Sequence, residues 1–251
     1  MKYLLFLLLS AISLFSLCAQ VTGTLQRGEA GLFDAAQGGN PMLNLVMIDL
    51  RVNNQKTGVK EILGSPYLTD DFIKSKVYFG DEFVGDFYVR YNALNSEIEI
   101  KKSDLAEENP KRLLANQDLR VKYGQRELLF TTYINRKDET KNGYLSIISK
   151  GDKFTLYHRL AVKFSEGKAA ANSMVNDIPS RYAHFVEYYY LKNDVDRIDQ
   201  LLQKKGALLK ILDKELKDDV NRFLKEERID LDKEEDLIRT FEYINSLNTS
   251  S

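Results

Sequence analysis

The sequence predicts an α+β fold: an antiparallel β-meander sheet curling into a sandwich or partial barrel, followed by two or three short C-terminal amphipathic helices. Three observations carry this. Between Lys76 and Lys102, apolar and polar residues alternate with a period of two and short polar turns close each run, the pattern of half-buried strands. The same grammar recurs through residues 126–192. Beyond about residue 197 the apolar spacing changes to three and four, the mark of helices with one apolar face.

The chain opens with MKYLLFLLLSAISLFSLCAQ, one lysine followed by an uncharged apolar run and an abrupt change to polar, Gly-rich sequence. These flanks predict a secretory signal peptide over 1–19, cleaved after Ala19. Its apolar stretch falls short of the about 20 residues that a spanning helix needs, so no integral membrane span is expected in the mature chain. Cys18 raises the alternative of a lipid-anchored protein, which bulky Leu17, where lipoprotein signals place a small residue, disfavours. Loss of Cys18 with the signal leaves a chain without cysteine, which excludes disulfides, thiol catalysis and cysteine-based zinc sites. Loss of Lys2 leaves 35 Lys and Arg against 37 Asp and Glu, a net charge of about −2. So even a balance gives no reason to expect nucleic-acid binding.

Residues 20–41 are rich in Gly, Gln and Ala and read as a flexible leader. A β-rich domain is expected over 42–195. Its first apolar run, 42–52, suits a buried strand or a short helix, since periodicity does not arbitrate at that length. Gly64, Ser65 and Pro66 signal a turn. In FVGDFYVRY, Phe83, Phe87, Val89 and Tyr91 are placed in the core with Ile98 and Ile100 of the following strand, and Asp86, Tyr88 and Arg90 on the solvent side. Further strands are read at 126–135, 143–149, 153–164 and 181–192, with a tight hairpin at Gly151 and Asp152. Seven to nine strands result, enough for an open sheet to curl.

The helical appendage spans 196–251. A weak helix is read at about 199–212, interrupted by Gly206. Leu212, Leu216, Val220 and Leu224 define a second, and Leu237, Ile238, Phe241 and Ile244 a third, opened by a capping box between Asp232 and Glu235.

Chemistry-bearing patterns are scarce. His158 is in phase with Phe154, Leu156, Leu160 and Val162, and reads as a structural histidine on an apolar face. His184 has no second histidine near it. The acidic run DLDKEED at 230–236 lacks the glycine and the terminal glutamate of a calcium loop, so no metal site is assigned. A phosphate loop and a Gly-x-Ser-x-Gly elbow are both absent, and no cofactor is expected. Catalytic residues cannot be named. The one cluster suited to a ligand or partner patch is Tyr188, Tyr189 and Tyr190, of which the first and third share a strand face and the second lies on the other. Structural packing is the simpler account of these tyrosines.

Three blocks, GSPYLTDDF at 64–72, the hairpin around FVGDFYVRYNALNSEIEI, and the ending KEEDLIRTFEYINSL, follow in this order behind a signal ending in Ala-Gln. In this the chain resembles uncharacterised exported proteins of Bacteroidota. The resemblance implies a location in the Gram-negative envelope, periplasmic or associated with the outer membrane. It brings no activity and no site residues. The expected function is therefore that of an exported, non-enzymatic envelope protein, a binding or structural module for another envelope protein or a small ligand. The alternatives are a carboxylate-based hydrolase, which needs two Asp or Glu about 5 to 10 Å apart in a cleft, and a small-ligand carrier, which needs an apolar cavity of a few hundred Å³. An outer-membrane barrel is opposed by the charged terminal helices.

Overall fold

The computed structural model describes residues 47–49, 62–170, 174 and 176–247. The expected signal segment and leader, and most of the apolar run at 42–52, lie outside the described residues. Among the described residues, twelve strands precede three helices. The first half of the sheet comprises β1 (Met47–Asp49), β2 (Ile62–Leu63), β3 (Ile73–Phe79), β4 (Glu82–Asn92), β5 (Glu97–Lys101) and β6 (Lys111–Leu113). The second comprises β7 (Leu119–Tyr123), β8 (Arg126–Ile134), β9 (Thr140–Lys150), β10 (Phe154–Ser165), β11 (Ser180–Lys192) and β12 (Ile198–Leu201). Helices α1 (Lys205–Ile211), α2 (Lys214–Glu226) and α3 (Glu234–Ser246) end the chain.

Eleven strands follow the order β1-β6-β5-β4-β3-β7-β8-β12-β11-β10-β9, and β2 pairs with β11. Because β9 also pairs with β8, the last five form a ring. A single parallel bridge, Asp199 to Ile134, closes it, so the sheet is partly ringed and does not form a continuous barrel. Most other pairings are antiparallel, and the predicted α+β architecture with a curled meander and three C-terminal helices is the one observed.

Alternation sorts the side chains into three cores. One face of β3, β4, β5, β7 and β8 contributes Val77, Phe87, Val89, Ile98, Ile100, Val121 and Leu128 to the largest. Beneath the helices, Phe154, Leu156 and Tyr188 meet Leu216, Val220, Leu237, Phe241 and Ile244. The ring encloses the third, made of Tyr133, Leu145, Tyr157 and Tyr189. Strand β10 serves the first two cores along one face: Phe154 and Leu156 pack under the helices, while Leu160 and Val162 pack against the meander. His158 falls between them.

Several sequence expectations are corrected. Phe83 is 45% exposed, and Val84 takes its place in the core. The ladder between β3 and β4 shifts register at Val77 and Tyr78, and this bulge moves Val84 onto the face of Phe87. Arg90 is not a solvent-side residue. Its guanidinium lies 3.8 Å from the centre of the Tyr67 ring and 4.5 Å from that of Phe72. It donates twice to Glu99 Oε2, at 3.0 and 2.6 Å, while the Tyr67 hydroxyl donates to Glu99 Oε1. The segment 64–72 therefore covers this end of the outer face. Gly64 starts it at φ +79°, where an added Cβ would meet the Tyr182 carbonyl oxygen at 2.9 Å.

At the C-terminus, Ile198–Leu201 is strand rather than helix, because pairing with β11 satisfies its backbone and closes the ring. Helix α3 starts at Glu234 behind Lys233, one residue later than the capping box requires, and no side chain caps it. Instead Asp236 accepts from the Asp230 backbone N–H at 3.0 Å. The short strands β2 and β6 carry too few residues for a period to register, but β7, LRVKY, shows a legible alternation at Leu119, Val121 and Tyr123. No helix among the described residues is long and apolar enough to cross a membrane.

Candidate functional site

A cavity of about 360 Å³ opens where the meander core meets the helix-covered core. Strand alternation builds its walls. Tyr91 from β4, Leu128 from β8, Tyr144 and Ser146 from β9, and His158 and Leu160 from β10 all point into the same trough. Leu68 and Ile73 close one side, and the turn Tyr123, Gly124, Gln125 and Arg126 between β7 and β8 forms the other. Gly124 makes this turn at φ +61°, a conformation glycine adopts without steric cost. Tyr91, Tyr144 and Ser146 are almost fully buried and form the floor, whereas Leu68, Gln125 and Arg126 reach solvent at the rim.

The lining is aliphatic and aromatic except at one end, where polar groups converge on helix α3. Arg126 Nη2 donates to Glu234 Oε1 at 2.7 Å. Tyr188 donates its hydroxyl proton to Glu234 Oε2 at 3.2 Å, and the Nε2 of His158 lies 3.8 Å from the same oxygen. The His158 and Tyr188 rings meet edge to face at 6.0 Å. Glu234 is held there by its helix. Leu237, Phe241 and Ile244 form the buried stripe of α3, Phe241 packing edge-on against Phe154 at 6.0 Å. At the far end of α3, Asn245 accepts from the Lys153 and Phe154 backbone N–H groups at 3.1 and 2.9 Å and donates to the Phe154 carbonyl at 3.0 Å. Gly151 leaves room for that side chain, since a Cβ there would come within 2.3 Å of Asn245.

The electrostatics keep this end neutral apart from the Arg126–Glu234 pair. Burial, and after it the positive charge of Arg126, lower the His158 pKa to about 4 against the partial opposition of Glu234, so the imidazole is uncharged near neutrality. Burial, with the Glu234 charge and hydrogen bond, raises Tyr188 to about 12, so its phenol remains a donor. Burial likewise raises Tyr91 to about 12. Among the described residues, the buried hydroxyls of Tyr91 and Tyr144 have no hydrogen-bond partner of ordinary geometry.

The three tyrosines singled out in the sequence are separated by the fold. Tyr188 and Tyr190 lie on the helix-covered face and Tyr189 faces into the ring, as strand alternation requires. Tyr188 stands beside the cavity through Glu234. Tyr189 donates to Glu187 at 2.9 Å, and Tyr190 is half-buried against Phe154. His184 bonds the Ser65 carbonyl oxygen at 2.7 Å. Sequence reading placed His158 on an apolar face but missed Arg126 and Glu234, because neither sits in a motif and 108 residues separate them.

A second cavity, of about 350 Å³, lies behind Tyr144 and is lined by Ser96, Glu97, Arg112, Phe130 and Asn142, among others. Among the described residues, the lining of the first cavity has no Asp or Glu and that of the second has Glu97 alone, so neither lining brings two carboxylates together. Among the described residues, no group of three or more His, Cys, Asp or Glu is placed to hold a metal ion. Compared with protein-family models, with curated proteins and with solved structures, the chain matches none.

Proposed function

We propose that this chain is an exported binding protein of the cell envelope whose ligand is a small, mainly apolar molecule held in the cavity between the two cores. The observation that carries this reading is the cavity itself. Its volume of about 360 Å³ falls in the range of small-molecule sites, and its lining is apolar with a few polar groups gathered at one end. Export rests on the N-terminal sequence, with its lysine, apolar run and Ala-Gln junction. A binding role accords with the neutral His158 and the absence of a carboxylate pair from the cavity lining.

The test is a calorimetric titration of the full chain with 1-decanol, a neutral chain of suitable size, beside a variant in which Leu160→Trp fills the cavity. Saturable binding that the variant loses supports the reading. Equal binding by both proteins, or none by either, contradicts it.

A further inference from the structure

The cavity's charge pattern says more about its ligand, on the premise that the cavity binds one. Among the described residues, Arg126 is the only one in the lining with a full charge, and it stands at the rim beside Gln125, while the floor is formed by the Tyr91 and Tyr144 rings. Its counter-ion, Glu234, lies outside the lining on α3 and engages one guanidinium nitrogen, Nη2. A guanidinium offers five N–H donors, and no protein acceptor is present for Nε or Nη1 of Arg126 among the described hydrogen bonds. The cavity volume of about 360 Å³ lies in the range of sites that hold small organic ligands.

We infer that the cavity takes a medium-chain amphiphile with one anionic head, the chain lying over Leu128, Tyr144 and Leu160 and a carboxylate at the rim on Arg126. Arg126 suits this role because a planar guanidinium can receive a carboxylate through two parallel N–H bonds while keeping a third for Glu234. Ser146 and neutral His158 line the same cavity without adding charge, so recognition of the head falls to Arg126.

The experiment compares decanoate with 1-decanol by calorimetry at neutral pH, below micelle-forming concentrations, on the full chain and on Arg126→Gln and Glu234→Gln. Decanoate is expected to bind more tightly than decanol by about tenfold, the order of one charge-assisted contact. Arg126→Gln is expected to erase that difference, decanoate and decanol then binding the variant with equal affinity. Glu234→Gln, which removes the counter-charge on Arg126 while keeping the side chain's shape, is expected to tighten decanoate alone. If decanol and decanoate bind the unmodified chain equally, the anionic head is wrong and the apolar cavity stands. If neither binds, the cavity reading falls and this inference with it. Should Arg126→Gln fail to fold, the Glu234→Gln comparison decides, and unchanged decanoate affinity there overturns the assignment to Arg126.

Discussion

Arg126, at the first position of β8, and Glu234, at the first position of α3, are joined by a 2.7 Å ion pair that ties the helical appendage to the rim of the cavity. Both side chains are about a third exposed, so screening by solvent limits what the pair contributes. Arg126→Ala and Glu234→Ala are each expected to lower stability by about 1 kcal/mol, with Glu234→Ala the larger because it also strands the Tyr188 hydroxyl. The double variant should lose less than the two single losses combined. Urea denaturation of the four proteins measures this.

His158 makes stability depend on pH. Its folded pKa of about 4 lies below the roughly 6.5 of an unfolded histidine, so between those values the unfolded chain binds the proton more readily. Its contribution is therefore fully present above about pH 6.5 and is lost as pH falls toward 4. The loss amounts to about 3 kcal/mol at most. Urea midpoints at pH 7 and pH 5 should differ for the parent chain, and His158→Gln should shrink that difference. Asp236, whose pKa the Asp230 backbone N–H lowers, acts only at more acidic pH.

Asn245 seats α3 on the hairpin between β9 and β10. Asn245→Ala takes the side-chain acceptor from the Lys153 and Phe154 N–H groups in a half-buried place, while the Phe154 carbonyl keeps the Gly151 N–H, and is expected to cost about 2 kcal/mol. Gly151→Ala is expected to destabilise the parent, since its Cβ would collide with Asn245, and to cost far less once Asn245 is alanine. Thermal unfolding of the single and double variants checks this coupling.

The bulge in β4 sets a further contrast. Val84→Ala removes a core side chain and should cost about 1–2 kcal/mol, whereas Phe83→Ala, at a surface position, should cost less than half of that. Reversed effects would mean that the strand keeps the unbroken alternation its sequence suggests.

That contrast also shows where sequence pattern stops being informative. Residues 83–91 alternate cleanly, and the phase they imply is right for Phe87, Val89 and Tyr91 but fails before Gly85, because a bulge depends on the partner strand. Strands β4, β5 and β8 to β11 were legible because β-branched and aromatic residues recur through them between clear turn signals. Ile198–Leu201 was not, since a four-residue strand is specified by the edge it pairs with and adjoins a true helical pattern. The cavity was hidden for a related reason. Only His158 among its polar end had a readable position, and its relation to Arg126 and Glu234 exists only once α3 docks.

The central claim is that the trough floored by Tyr91 and Tyr144 is a binding site for a small apolar molecule. Nuclear Overhauser contacts between unlabelled 1-decanol and isotope-labelled protein test it most directly. The account predicts contacts from the alkyl chain to the Tyr91 and Tyr144 rings and to Leu128 and Leu160. Contacts confined to the exposed apolar residues of the β10–β11 hairpin, Phe164, Phe185 and Val186, would contradict it.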